Sequence, residues 1–381
     1  MKNSDGFEPN NVTTPAASSD NLQFLPSALA DDHRRRGATL AAYHGAEVPL
    51  RFGDAPAEHR AVRTAAGLFD FSFRAKFTLS GEHRVRFLHR IVSNDVKSLS
   101  TGQGVYATLL SAQGRILADL RVYADSDQLW IDTDADLRGK AMNTLRRYIV
   151  GDRVEVELRE VYAAALQGPA SRDVLARMLG VTLDGLDQEM HHQVLEHSGS
   201  TVRVVRLSST GEEGYEVWLD HRGLRRFWDA ALESCAVGTL VMCGTEALES
   251  LRIEAGIPRY GPDFGEDTLP LEAGLLGALS FNKGCYIGQE IVERARSRGH
   301  VNWKLAGLLF APGATVPAPG QPLAAEGKLI GEITSACFSP TLERPLALAY
   351  VRREVAEPGA QISLQNGDSV EVTGLPFLRP K

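Results

Sequence analysis

From residue 75 onward the spacing of hydrophobic positions changes repeatedly, and each change predicts an element. Lys76-Phe77-Thr78-Leu79 alternates as a half-buried strand does, whereas Val85, Phe87, Leu88 and Ile91 recur at helical spacing over 82–91. Segments 104–110, 116–123 and 129–134 read as consecutive strands, with turn cues at Ala112-Gln113-Gly114 and Asp125-Ser126-Asp127. Over 135–150, Leu137, Ala141, Leu145, Tyr148 and Ile149 share one helical face, with Asp134 as the expected N-cap and Gly151 as the expected stop. The order then nearly repeats. Strands are expected at 154–158 and 162–166, a helix at 171–179, strands at 202–207 and 215–219, and helices at 222–234 and 245–255. Antiparallel strands mixed with packed helices predict an α+β class, not a doubly wound parallel sheet. No strand leads into G-x-G-x-x-G, which disfavours a nicotinamide-type site.

The two ends differ from this middle. Residues 1–38, rich in Asn, Ser, Ala, Pro and Asp, read as a disordered tail before a globular start at about Thr39. Beyond the Pro/Gly-rich stretch 311–320, short strands are broken by Glu326-Gly327, Ser339-Pro340, Glu357-Pro358-Gly359 and Asn366-Gly367. Asn366-Gly367 is a strong two-residue hairpin cue, and 301–381 reads as a small antiparallel β-barrel or sandwich.

Composition mainly removes possibilities. With 43% hydrophobic and 23% charged residues the chain has an ordinary soluble balance. No apolar run reaches the roughly 18–20 residues of a membrane span, so no membrane partner is expected. The N-terminal stretch lacks an apolar signal core and has no Arg before Ala30, which makes a cytoplasmic location the expectation. A net charge of −7 disfavours nucleic acid. A local cluster, Arg294, Arg296, Arg298, His300 and Lys304, reads either as a solvated face or as a site for an anionic ligand such as a polyglutamate tail. Cys235, Cys243, Cys285 and Cys337 show no CxxC spacing, so neither a disulfide framework nor a bound metal is expected.

Among the cysteines, Cys285 alone sits amid residues suited to alter its chemistry, in Lys283-Gly284-Cys285-Tyr286-Ile287-Gly288-Gln289-Glu290. A cation two residues away and a helix starting at 289 both favour a thiolate. Read as K-G-C-Y-x-G-Q-E, this octapeptide resembles the signature of the YgfZ family of folate-binding proteins, relatives of the glycine-cleavage T-protein (aminomethyltransferase). Other markers follow in order: 67–72 resembles G-L-F-D-x-S, Ser93-Asn94-Asp95-Val96 the N-D-V turn, and 166–169 L-Q-G-P. Segment 210–216 is similar to T-G-E-x-G-[FY]-E, and 251–256 to L-R-x-E-A-G.

The resemblance implies a T-protein-like, multi-domain α+β arrangement around a central folate channel. A folate-binding region of two interleaved α+β subdomains spans 39–300, and a C-terminal antiparallel β-barrel spans 301–381. Tetrahydrofolate or a derivative is the implied ligand. Asp95 matches an aspartate beside the reactive folate nitrogens, where a carboxylate can take a proton or stabilise positive charge. Glu216 matches the pterin-reading glutamate, whose two oxygens suit the amino-bearing ring edge. Arg252, Tyr286 and Gln289 are further candidates around the ligand. Cys285 is the candidate nucleophile or transient ligand, with Lys283 as its activating cation. One departure stands out: Leu248 occupies the place of a folate-contacting arginine in the T-protein. The resemblance thus leads to a folate-binding accessory protein for iron–sulfur cluster assembly or repair, with cluster-assembly or client proteins as partners. A tetrahydrofolate-dependent aminomethyltransferase is the alternative, and a folate-gated scaffold without chemistry is the third reading.

Overall fold

The computed structural model describes residues 25–235, 238–297, 301–325, 327–364 and 369–378. Among these, a five-stranded antiparallel sheet runs Gly104–Leu110, Ile116–Ala124, Leu129–Asp134, Arg74–Ser80, Glu155–Arg159. Its strands alternate, so one face carries Phe77, Leu79, Leu120, Val122 and Ile131 into a core with the helices Arg84–Ile91 and Arg138–Arg147. The opposite face is charged.

A six-stranded sheet follows the order His192–His197, Ser200–Arg206, Gly214–Leu219, Tyr162–Gln167, Gly67–Asp70, Val241–Met242. Only its last pairing is parallel. Helices Ser171–Leu179 and His221–Cys235 cover one face through Val174, Leu175, Leu224, Phe227 and Trp228. Gly67–Asp70 lies in this sheet while the next strand, Arg74–Ser80, lies in the other, so the two units interleave along the chain.

The C-terminal sheet is antiparallel, in the order Pro322–Ala325, Lys328–Ser339, Arg344–Arg352, Trp303–Leu309, Ser369–Thr373, Gln361–Ser363. It curls around Leu308, Ile333, Ala349, Val351 and Val370 as an open barrel. The overall class is mixed α and β with a C-terminal antiparallel barrel. The helix Thr245–Glu254 is nearly all buried and packs on the barrel strand Lys328–Ser339, the strand Ala46–Arg51 and the helix Ala55–Thr64. No helix among the described residues is long and apolar enough to cross a membrane.

The N-terminal order begins before residue 39. Ala30–Arg35 is helical, and Ser27, Leu29 and His33 are buried. His33 Nε2 lies 2.9 Å from Asp70 Oδ2, which also accepts from Ser27 Oγ at 2.6 Å. A polar composition concealed this anchor, because its polar groups pair with a buried carboxylate instead of water. Residues 1–24 and the Asn366-Gly367 cue lie outside the described residues, although strands paired at Ser363 and Ser369 flank the latter.

Candidate functional site

The charged face of the five-stranded sheet is built by register. Arg74 stands opposite Asp134, Lys76 opposite Asp132, and Arg121 opposite Asp132 on the other side. Arg74 Nη2 reaches Asp132 Oδ2 at 2.6 Å and its Nη1 donates to Asp134; Lys76 Nζ lies 3.2 Å from Asp132 Oδ1. Burial would raise the Asp132 pKa, but Arg74, Lys76 and Arg121 hold it well below the usual carboxylate range. The six-stranded sheet meets this layer through Glu216 and Trp218, which share a face while Tyr215 and Val217 point into the helix-covered core. Glu216 is fully buried; Oε1 accepts from Arg121 Nη1 at 2.8 Å and Oε2 from Trp218 Nε1 at 2.9 Å.

Beside this layer is a cavity of about 100 Å³. Its walls come from distant parts of the chain and include Tyr43, Phe71, Phe73, Leu248 and Tyr260. Phe73 packs edge-on against Tyr43 with ring centroids 4.8 Å apart, and the Arg259 guanidinium sits 4.9 Å from the Tyr43 centroid. Asp119, Arg74, Arg121, Ser209 and Arg252 also line it. Asp119 is buried; Oδ2 accepts from the Tyr106 hydroxyl at 3.1 Å, whereas Oδ1 has no hydrogen-bond partner. The Ser209 hydroxyl is likewise buried without one.

At the rim, His44, Asp134 and Asp136 group within ligand distance of one another. Arg259 Nη1 donates to His44 Nε2 at 2.7 Å, which places the neutral ring's proton on Nδ1, 3.2 Å from Asp134 and 3.4 Å from Asp136. The group therefore satisfies itself with a proton, and its chemistry does not call for an ion.

A larger cavity of about 600 Å³ lies between the loop 261–268 and the barrel, lined by Asp263, Glu272, Trp303, Glu332 and Tyr350 among others. Arg252 stands at the division between the two cavities. It donates to Asp263 Oδ2 at 2.6 Å, to Glu249 Oε2 at 2.7 Å and to Ser335 Oγ at 2.7 Å. Burial opposes ionisation of Glu249, yet Arg252 and Arg259 hold its pKa down to about 2.

The octapeptide residues gather elsewhere. Lys283 Nζ donates to the carbonyls of Val92 at 2.7 Å, Asn94 at 2.8 Å and His89, finishing the helix Arg84–Ile91 and fixing the turn that carries Asp95. All three ammonium hydrogens are thereby directed at backbone oxygens, and burial lowers the Lys283 pKa to about 8. Cys285 is exposed. Asp95 Oδ1 accepts from the amides of Lys97 at 2.9 Å and Ser98 at 3.2 Å, with His89 Nδ1 at 3.2 Å. Tyr286 is buried, and its hydroxyl has no hydrogen-bond partner; burial, then Glu293, pushes its pKa up to about 12. Gln289 opens the helix Gln289–Ser297.

Gly288, at φ +81°, packs so closely on the Ser111–Gly114 turn that a Cβ there would meet Ser111 O at 2.6 Å. That turn is five residues from Asp119, about 15 Å along a strand. Neither cavity is lined by Asp95, Lys283, Cys285, Tyr286 or Gln289. Of the expected ligand contacts, Arg252 lines the smaller cavity and Glu216 stands behind Arg121. In the basic cluster, Arg294 pairs with Glu290 and Arg296 lies over the Phe281 ring at 4.0 Å; Arg298 and His300 lie outside the described residues.

Sequence reasoning missed Arg74, Lys76, Asp119, Arg121 and Asp132. The available signal was charge complementarity at alternate positions: Arg74 and Lys76 on one strand, Asp132 and Asp134 on another.

Residues 29–283 match the family described as the GCVT N-terminal domain, and 304–378 match the glycine cleavage T-protein C-terminal barrel domain. An aminomethyltransferase of Streptomyces avermitilis is 34% identical over 365 residues, covering 93% of this chain and 97% of its own. One from Symbiobacterium thermophilum is 33% identical, covering 90% and 94%. The crystal structure of glycine cleavage system aminomethyltransferase T from Bartonella henselae superimposes with a TM-score of 0.84 at 27% identity, covering 93% of this chain and 98% of that one.

Proposed function

The chain belongs to the glycine cleavage T-protein family, and on that premise we propose that it is a tetrahydrofolate-dependent aminomethyltransferase that seats the folate ring in the smaller cavity. One observation carries this reading: a cavity walled by Tyr43, Phe71 and Phe73 is also lined by Asp119 and Ser209, each of which has a buried side-chain oxygen without a hydrogen-bond partner. Flat apolar walls with a few unpaired polar atoms suit a planar heterocycle that presents hydrogen-bond donors. When bound, tetrahydrofolate supplies the nitrogens that take up a one-carbon unit. The chain's own residues position it. Glu216 fixes Arg121 at the cavity wall, and Glu249 and Asp263 fix Arg252. Arg74, Arg121, Arg252 and Arg259 all line the cavity, so Leu248 does not leave it without cations. Asp95, bound in its turn and partly exposed, is kept as a proton-handling group outside the cavity wall.

The test joins tetrahydrofolate titration to an assay of methylene-tetrahydrofolate formation from an aminomethylated lipoyl carrier. Binding with turnover is expected. Binding without turnover removes the transferase and retains the folate site; absence of binding removes both.

A second reading is favoured by the exposed Cys285 thiol within K-G-C-Y-x-G-Q-E together with Leu248. In it the protein is a folate-binding accessory of iron–sulfur cluster assembly or repair. Folate then binds without turnover, and Cys285→Ala fails to restore cluster-dependent enzymes in a deletion strain. Full restoration by that variant ends this reading.

A further inference from the structure

Lys283 belongs to the octapeptide by sequence, but its ammonium serves a segment 189–194 positions earlier in the chain. It donates to the carbonyls of His89, Val92 and Asn94, and with three hydrogens on three oxygens none remains to bond the Cys285 thiol. Asn94 is locked from its other side as well. Its Nδ2 donates to the Tyr106 and Gly277 carbonyls, both at 2.8 Å, and its Oδ1 accepts from the Asp95 amide at 2.8 Å. Asp95 is thus fixed at its backbone, and its Oδ1 is tied to the amides of Lys97 and Ser98. Its side chain is still 36% exposed, and among the described residues Oδ2 has no hydrogen-bond partner. A carboxylate with one oxygen tied and the other open takes a proton in a set direction. Resting on the transferase reading, we propose that Lys283 is a positioning residue for that reaction, acting through Asp95: it holds the turn that aims the open oxygen and keeps the adjacent His89 imidazole from neutralising the carboxylate.

The second half of this role is electrostatic. His89 Nδ1 lies 3.2 Å from Asp95 Oδ1 and accepts from the Lys97 amide at 3.3 Å, which puts the neutral ring's proton on Nε2. A protonated His89 would instead donate to Oδ1 and cancel the carboxylate's charge. Burial, followed by the Lys283 ammonium, lowers the His89 pKa below its ordinary 6.5, against the pull of Asp95. The groups facing Lys283 are Asp95, which favours its charged form, His89 with Lys97 beside it across the turn, and the Tyr286 ring at 5.2 Å. Removing the ammonium therefore acts on Asp95 twice. Three carbonyls lose the donor that shapes the turn, and the imidazole becomes easier to protonate.

The experiment measures kcat and the KM for tetrahydrofolate with the aminomethylated lipoyl carrier, checking each fold by circular dichroism. The proteins are wild type, Lys283→Met, Lys283→Arg, Asp95→Asn and the double variant Lys283→Met/Asp95→Asn. Lys283→Met is expected to lower kcat by about tenfold or more with KM within about twofold, because a misaimed proton acceptor costs rate and not binding. Lys283→Arg, which keeps the charge and its donors, should recover most of that loss. The double variant should be no slower than Asp95→Asn alone, since the two changes remove one function. A Lys283→Met kcat within about twofold of wild type overturns the assignment, and so does a double variant that loses the full factor of both singles. If Lys283→Met does not fold, the pH profile decides. Burial lowers the Lys283 pKa to about 8, so the wild-type kcat should fall as pH rises past about 8, and Lys283→Arg should carry that fall to higher pH. A fall that stays in place overturns the assignment. In each of these outcomes wild type still turns over and the transferase reading survives. If wild type binds tetrahydrofolate without turnover, that reading falls and the assignment falls with it.

Discussion

Glu254 illustrates how one buried carboxylate can carry much of the stability. Its oxygens meet Arg63 Nη2 at 2.7 Å, Thr341 Oγ1 at 3.1 Å, His59 Nε2 at 3.2 Å and the Ser339 hydroxyl. Burial would raise its pKa, but His59, Ser339 and Arg63 bring it down to about 2 from the ordinary 4.5. The folded state thus binds this proton less tightly than the unfolded state does. Its stabilisation is complete above about pH 4.5 and is lost as pH falls toward 2. A shift of this size corresponds to roughly 3 kcal/mol. Glu254→Gln should therefore lose on the order of 3 kcal/mol at pH 7, with the gap to wild type closing between about pH 5 and 2 in urea titrations. In the octapeptide, residue-level roles separate. Lys283→Met leaves buried carbonyls unsatisfied and should cost about 1–3 kcal/mol. Cys285→Ser, at an exposed position, should stay within about 0.5 kcal/mol. If the two changes destabilise equally in the same denaturation assay, Lys283 is not acting as the cap of its helix.

Among the elements, the helix Thr245–Glu254 joins the units because its polar residues face inward. Arg252 links it to Asp263 and to Ser335 of the barrel. Arg252→Met strands the fully buried Asp263 carboxylate, and breaking such a pair costs about 3–5 kcal/mol. Adding Asp263→Asn should recover part of that loss; a double variant as unstable as the sum of the singles would mean the two residues are not coupled. This helix was legible from its spacing, and the strands at 104–110 and 129–134 match their expected ends, because apolar period alone defines such segments. The helix expected at 135–150 is shorter, Arg138–Arg147. Its expected cap fails for a physical reason: the Asp134 carboxylate pairs with Arg74 and His44, leaving only its carbonyl for Leu137 N. The charged layer was illegible because a polar alternate position predicts solvent, and only the partner strand's matching charges reveal burial. The Cys285 segment was legible as a motif but not as a location, since nothing in its residues specifies packing against the Ser111–Gly114 turn.

At the scale of the whole molecule, the smaller cavity exists only when distant segments assemble: Tyr43, Phe71, Asp119, Ser209, Leu248 and Tyr260 come from across the chain. Residues 375–378 reinforce the closure by returning to the central helix. Phe377 N donates to Glu254 O at 3.0 Å, and Gly256, at φ +64°, packs so closely that a Cβ would meet Leu375 Cβ at 2.8 Å. Gly256→Ala would incur both a left-handed backbone penalty and this overlap, together on the order of 2–4 kcal/mol. Because the same helix borders the cavity through Leu248 and Arg252, that loss should lower one cooperative transition and not release the barrel separately. On the folate reading, a ligand bound only by the assembled cavity stabilises the whole chain by RT ln(1 + [L]/Kd), about 2.7 kcal/mol at a hundredfold excess over Kd. For a protein of this size the single melting transition should rise by roughly 3–5 °C in calorimetry, in wild type and from a lower starting point in Gly256→Ala. Two transitions, with only one moved by tetrahydrofolate, would show that the cavity belongs to one unit and that the central helix does not join the molecule.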